Sequence, residues 1–291
     1  MQGLAVWLVA RPERAAFILI ATFLLPITQI LGSAVLVLLI LSRGLVRTTL
    51  TAGIAVGAML VLVLISTVSI TQLFQVVLKI WLPGMVLALL LQRMRSLTLL
   101  LQTTVLMAMI VIIGLYAVLG DPAAYWHEML QEIIVAWRGA GLEQEADLFT
   151  QLLPYTPQMT GILVSIGWLL HVVALLIGYA AYINLPNQPD EFGRFSDLNF
   201  GRVLALVLAM VSIAAMITPV IWAQNIAFVL VMIFWMQGLA LLHWLRSAGR
   251  LPTMVLAAVY ASHVFPLLVI VISVMGYTDA WFNYRTRIAM K

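Results

Sequence analysis

The sequence predicts an all-α fold, a polytopic transmembrane helical bundle forming a single integral membrane domain over residues 1–291. Three observations carry this. First, 64% of the 291 residues are hydrophobic and only 9% are charged, with a mean hydropathy of +1.11; a soluble domain carries about 25% charged residues. Second, the apolar stretches are long enough to cross a hydrocarbon core about 30 Å thick, which takes roughly 20 residues of helix. Third, these stretches are apolar all round, whereas a β-barrel would alternate apolar and polar residues. Cysteine is absent, which excludes a disulfide framework, thiolate metal ligation and a cysteine nucleophile.

The first predicted span covers residues 15–42. It contains Pro26 and the pair Gly32-Ser33, so it reads as one bent helix or as a hairpin of two short ones. Further spans follow over residues 45–67, 72–91 and 96–119. A polar segment, residues 120–158, separates them from a span over residues 160–183. A second polar segment, residues 184–202, is rich in Pro, Asn and Asp. The last spans cover residues 203–218, 224–245 and 251–276. Pro266 can divide the last of these and return the tail, residues 277–291, to the side where it started.

Basic residues set the sidedness. Arg11, Arg14, Arg43, Arg47, Arg93, Arg95, Arg194, Arg202, Arg246 and Arg250 fall on one side if each long span crosses once. Residues 120–158 oppose one arginine, Arg138, to six acidic residues. The positive-inside bias therefore puts this acidic segment outside. The formal charge of +4 has the same origin, and no nucleic-acid partner is expected. The short apolar stretch of residues 3–10 is followed, not preceded, by Arg11 and Arg14, so it reads as an interfacial segment and not as a cleavable signal peptide.

Within the outside segment, Trp126, Met129, Leu130, Ile133, Ile134 and Trp137 recur at helical spacing opposite Glu128, Gln131 and Glu132. That pattern predicts an amphipathic helix, either an interfacial anchor or a lid over an outward cavity. Gly139 and Gly141 end it, and Leu148 to Leu153 suggest a second short helix.

Enzyme motifs are missing: there is no HExxH, GxSxG or P-loop. His127, His171, His243 and His263 are scattered over different segments without metal-ligand spacing. No enzymatic activity, metal or cofactor is expected. The most pointed polar constellation is Gln72, Gln75 and Lys79, spaced i, i+3 and i+7 on one helical face. A cation at mid-span costs about 2.5–3.5 kcal/mol unless it faces protein or water. These residues are expected to line a hydrated pocket for a small anionic ligand, between the first hairpin and residues 160–183. Snorkelling of Lys79 to the interface is the alternative. Pro83 and Gly84 follow one turn later and are expected to bend or open the helix.

Gln29, His171 and Tyr179 are further candidate ligand-binding positions. Thr28, Tyr182, Gln237, His243, Tyr260, Ser262 and His263 read as polar residues between helices. Small residues four apart, Gly53 and Gly57, Ala205 and Ala209, and Ala257 and Ala261, are candidate faces for a membrane-protein partner. In the tail, Trp281, Phe282 and Tyr284 read as an aromatic belt with Arg285 and Arg287 at the phosphate level, and Asp279 is close enough to pair with Arg285.

The run Gly276-Tyr277-Thr278-Asp279-Ala280-Trp281-Phe282-Asn283-Tyr284-Arg285 resembles the end of the YybS-like family of uncharacterised bacterial membrane proteins. Span number and the early Pro with a Gly-rich second helix add to the likeness. That family is similar in pattern to the substrate-binding S components of energy-coupling-factor transporters, and more distantly to MreD, a cell-shape protein. The resemblance implies an S-component-like six-helix half over residues 15–183, with additional C-terminal helices over residues 203–276. It also implies a multi-pass protein of the bacterial inner membrane. The leading functional expectation is a small-molecule binding or transport subunit; the alternative is a non-catalytic scaffold organising envelope proteins, as in MreD.

Overall fold

The computed structural model describes residues 2–65, 69–186, 188, 191–218, 220–262 and 266–289, without the side chains of Pro26, Pro266 and Ala289. Thr67 and His263, named above, lie outside the described residues. Among the described residues the fold is all-helical. The helices are α1 (Gln2–Ala10), α2 (Pro12–Leu24), α3 (Gln29–Arg43), α4 (Leu45–Ile65), α5 (Ile70–Val76), α6 (Leu82–Met94), α7 (Leu97–Leu119), α8 (Pro122–Gly139), α9 (Glu143–Thr150), α10 (Thr156–Ile183), α11 (Gly201–Ile217), α12 (Ile221–Ser247), α13 (Thr253–Ala261), α14 (Pro266–Phe282) and α15 (Tyr284–Ala289). Five helical stretches among the described residues are long and apolar enough to cross a membrane: α4, α5 through α6, α7, the stretch ending in α10, and α12.

Local chemistry explains the boundaries. Pro12 opens α2 at a position where a missing N–H costs nothing. The first predicted span is a hairpin of two helices, α2 and α3, which pack on each other. The carbonyls freed at the end of α2 are satisfied locally: Thr28 Oγ1 donates to Thr22 O and Leu25 O, and Gln29 Nε2 donates to Phe23 O. Gly44, at φ +79°, ends α3 in a positive-φ conformation that glycine adopts without steric cost. Asp121 caps α8 by accepting from the N–H groups of Ala123 and Ala124. The last predicted span is divided, with α13 ending at Ala261 and α14 beginning at Pro266.

The chain forms two compact units, residues 1–101 with 169–195, and residues 102–168 with 196–291. In the first, α3 is the central helix, buried from Gly32 to Leu41. Gly178 of α10 sits against it, and an added Cβ there would meet Ala34 O at 2.5 Å and Val37 Cβ at 2.6 Å. In the second unit α12 is central, and it packs most extensively on α14. Gly238 and Gly276 are the contact points. A Cβ on Gly276 would lie 1.9 Å from Phe234 O, so the two backbones touch.

The acidic segment of residues 120–158 contains α8 and α9. Leu130 and Ile134 are buried, whereas Glu128, Gln131 and Glu132 are exposed, as the periodicity requires. The second short helix begins at Glu143 instead of near Leu148. Trp137 meets Phe149 edge-on at 5.3 Å, and Arg138 bridges Asp147 and Glu143.

Candidate functional site

The helix carrying Gln72, Gln75 and Lys79 shows what each residue does. Ser69 and Gln72 form a capping box: Gln72 N–H donates to Ser69 Oγ, and Ser69 N–H donates to Gln72 Oε1. Gln72 therefore builds the start of α5. Gln75 and Lys79 are exposed, as is Gln72, and none of the three lines the cavity described below. Their common face is an exposed face of the first unit.

Pro83 explains the irregularity that follows. In an α-helix its N–H would bond Lys79 O, but proline has none, and its ring presses on that carbonyl. The backbone widens into a π turn over Val77–Trp81. His171 of α10 then donates from Nε2 to Lys79 O at 2.8 Å. His171 thus replaces the hydrogen bond that Pro83 cannot make. Gly84, one residue on, lies so close to α3 that an added Cβ would overlap Ser33 Oγ.

Tyr179 is buried. Its hydroxyl donates to Gly193 O at 2.8 Å, and its ring packs on Tyr182 and Phe192. Gln29 closes the first hairpin, as above. Neither residue lines the cavity described next.

A separate cavity of about 410 Å³ lies in the first unit. It falls within the range of about 300–1,000 Å³ typical of small-molecule sites. Leu4, Ala5 and Leu8 of α1 form one wall, and α2, α3 and α10 form the others. Ala21, Ala34, Gly178 and Ala181 leave the volume unfilled because their side chains are small. Thr22 and Thr28 carry the only polar side chains in the lining. Their hydroxyls donate to backbone carbonyls, Thr22 to Leu19 O and Thr28 to Leu25 O. Such a space suits a hydrocarbon and offers nothing to hold an anion.

The second unit holds a buried polar knot around the tail residues. The Asp279 side chain is fully buried and that of Arg285 is 11% exposed; their ion pair is 3.5 Å long. Gln237 Nε2 donates to Asp279 Oδ2 at 3.1 Å, and Gln237 Oε1 accepts from Phe200 N–H at 2.8 Å. Tyr284 N–H donates to Asp279 Oδ1, and Arg285 donates to Leu198 O at 2.7 Å. Burial pushes the Arg285 guanidinium below its ordinary pKa, while Asp279 and Asp197 raise it. The pairing of Asp279 with Arg285 matches the sequence expectation, but it sits inside the fold and not at an open membrane edge. Trp281 is half-buried and meets Tyr277 edge-on.

A second hub, Asn225, escapes the sequence reading. It is fully buried, accepts from Gly161 N–H, and its amide lies within hydrogen-bond distance of Tyr116 Oη, Pro157 O and Ile221 O. It ties α7, α10 and α12 together. A polar Asn one turn inside an apolar span, with a glycine available on another, was the signal for it.

The small-residue pairs behave unevenly. Ala205 is buried and Ala209 half-buried, but Gly53, Gly57, Ala257 and Ala261 are exposed, and nothing lies within 4 Å of a Cβ added at Gly53 or Gly57. Close approach is instead made by Gly84, Gly161, Gly178, Gly238 and Gly276, each facing another helix. Among the described residues no group of His, Asp and Glu is arranged to hold a metal ion. No family model, no curated protein and no solved structure matches the chain.

Proposed function

We propose that this multi-pass membrane protein is a binding or transport subunit for an apolar small molecule, held between α1, α2, α3 and α10. The observation that carries the reading is the cavity of about 410 Å³ whose lining is hydrocarbon except for two threonines. Filling such a space with an apolar ligand removes both surfaces from water or restores dispersion contacts that an empty space forgoes. The S-component and YybS-like resemblance points to the same class, in the bacterial inner membrane. Lys79 is exposed and does not line this cavity. A scaffold in the manner of MreD is the second reading, favoured by the exposed and unpartnered face around Gly53 and Gly57.

Ligand binding to the native state raises its stability. An apolar extract of bacterial lipids added to the delipidated protein should therefore raise the unfolding temperature. The same extract should leave Ala21→Leu/Ala181→Leu, whose larger side chains occupy the cavity, without that shift. Equal shifts in both proteins would remove the support for this reading.

A further inference from the structure

We infer that the cavity takes one acyl chain of an anionic glycerophospholipid, and that Arg14 and Arg43 receive its phosphate. The inference deepens the apolar-ligand reading above and rests on it. Its independent support is the chemistry at one end of the cavity. Leu8, which lines the cavity, lies between two residues of α1 whose carbonyls accept from arginines. Arg14 Nη1 lies 3.4 Å from Trp7 O, with its guanidinium 5.1 Å above the Trp7 ring. Arg43 Nη2 donates to Val9 O. These two contacts bring the start of α2 and the end of α3 together at the carboxyl end of α1.

The dimensions fit a lipid lying along the hairpin. The lining on α2 runs from Ile18 to Leu25, about 10 Å of helix, within one leaflet of about 15 Å. Arg14 lies one turn before Ile18, and Arg43 lies five residues after Leu38. The backbones of both arginines therefore lie roughly 6–8 Å of helix beyond the apolar lining of their own helices, on the side where a headgroup would be. Each has five N–H donors and uses only part of this set in the contacts above. Arg11 and Arg47 are exposed at the same end of the hairpin, with Glu13 as the opposing carboxylate. An array of arginines at the level of an anionic leaflet attracts its lipids, and the planar guanidinium matches a phosphate in bidentate fashion. The apolar lining gives no preference among headgroups, and the arginines give none among chains. Together they select an acyl chain bearing a phosphate of net negative charge.

The test is native mass spectrometry of the full chain in detergent, titrated separately with phosphatidylglycerol and phosphatidylcholine of identical acyl chains. The expected result is preferential retention of phosphatidylglycerol, with about fivefold from each arginine. In Arg14→Gln/Arg43→Gln that preference should fall to near unity, with phosphatidylcholine retained as before. Arg14→Lys/Arg43→Lys should keep most of it. Arg14→Gln alone, which leaves the contact between Arg43 and Val9 in place, should lose about fivefold; it keeps the test open if the double variant does not fold. Equal retention of the two lipids by the natural protein, or an undiminished preference in the Gln variants, overturns the headgroup assignment. In that case the apolar reading survives if Ala21→Leu/Ala181→Leu loses both lipids. Unchanged retention in Ala21→Leu/Ala181→Leu overturns both.

Discussion

Replacing Arg285 by Met would leave the Asp279 carboxylate fully buried with two neutral donors, Tyr284 N–H and the Gln237 amide, and no counter-charge. Removing one partner of a buried ion pair costs about 3–5 kcal/mol, because the other charge stays desolvated. Asp279→Asn/Arg285→Met removes both charges. Asn keeps an oxygen for Tyr284 N–H, so the remaining loss is the bond from Arg285 to Leu198 O and a rearranged contact with Gln237, about 1–2 kcal/mol together. The double variant should therefore be more stable than Arg285→Met by about 2 kcal/mol, a rescue that additive losses do not give. Equilibrium unfolding in mixed detergent and sodium dodecyl sulfate, followed by circular dichroism, measures all three proteins. A double variant no more stable than Arg285→Met would refute the reasoning. The pair would then behave as a surface pair, worth at most about 1 kcal/mol.

Gly276→Ala should destabilise the second unit strongly, since its Cβ meets the backbone of α12, whereas Gly53→Ala, with open space around it, should change stability by less than about 0.5 kcal/mol; the same unfolding assay separates them. Asn225→Leu removes the partner of the buried Gly161 N–H and of the half-buried Tyr116 hydroxyl, at about 1–3 kcal/mol for a buried group and less for the half-buried one, read as a lowered unfolding midpoint. Lys79→Met should leave stability within about 0.5 kcal/mol of the natural protein and leave lipid retention unchanged, because the ammonium is exposed and is not part of the cavity lining; a loss of either measured quantity would mark Lys79 as a site residue.

The helices are legible in the sequence because backbone in lipid must bond within its own segment, so apolar length alone marks them. The break at Pro26 and the disturbance before Pro83 follow from a missing N–H that can be read from one letter. The pairing of Asp279 with Arg285 was legible for the same reason, as local geometry across a short turn at Asn283, which adopts φ 47°. Two features misled. The pattern Ser69-x-x-Gln72 is a capping box, a local role for Gln72 that its shared face with Gln75 and Lys79 conceals. The four-residue spacing of Gly53 and Gly57 marks a face but does not say whether a helix covers it, whereas single glycines such as Gly178 and Gly276 make the close contacts. The cavity was not legible at all. It arises where Ala21, Ala34 and Ala181 face one another from three helices, and each alanine alone is ordinary packing.

The central claim, an acyl chain between α1, α2, α3 and α10, is tested most directly in the bilayer. The natural protein is reconstituted in vesicles doped with a phospholipid that carries a photoactivated diazirine near the chain end. After irradiation, adducts are mapped by peptide sequencing. The account predicts adducts on the buried lining residues Leu8, Val35 and Leu38, beside those expected on outward residues such as Leu50 and Leu64. It further predicts loss of the lining adducts alone in Ala21→Leu/Ala181→Leu. Adducts confined to the outward residues in the natural protein would contradict it.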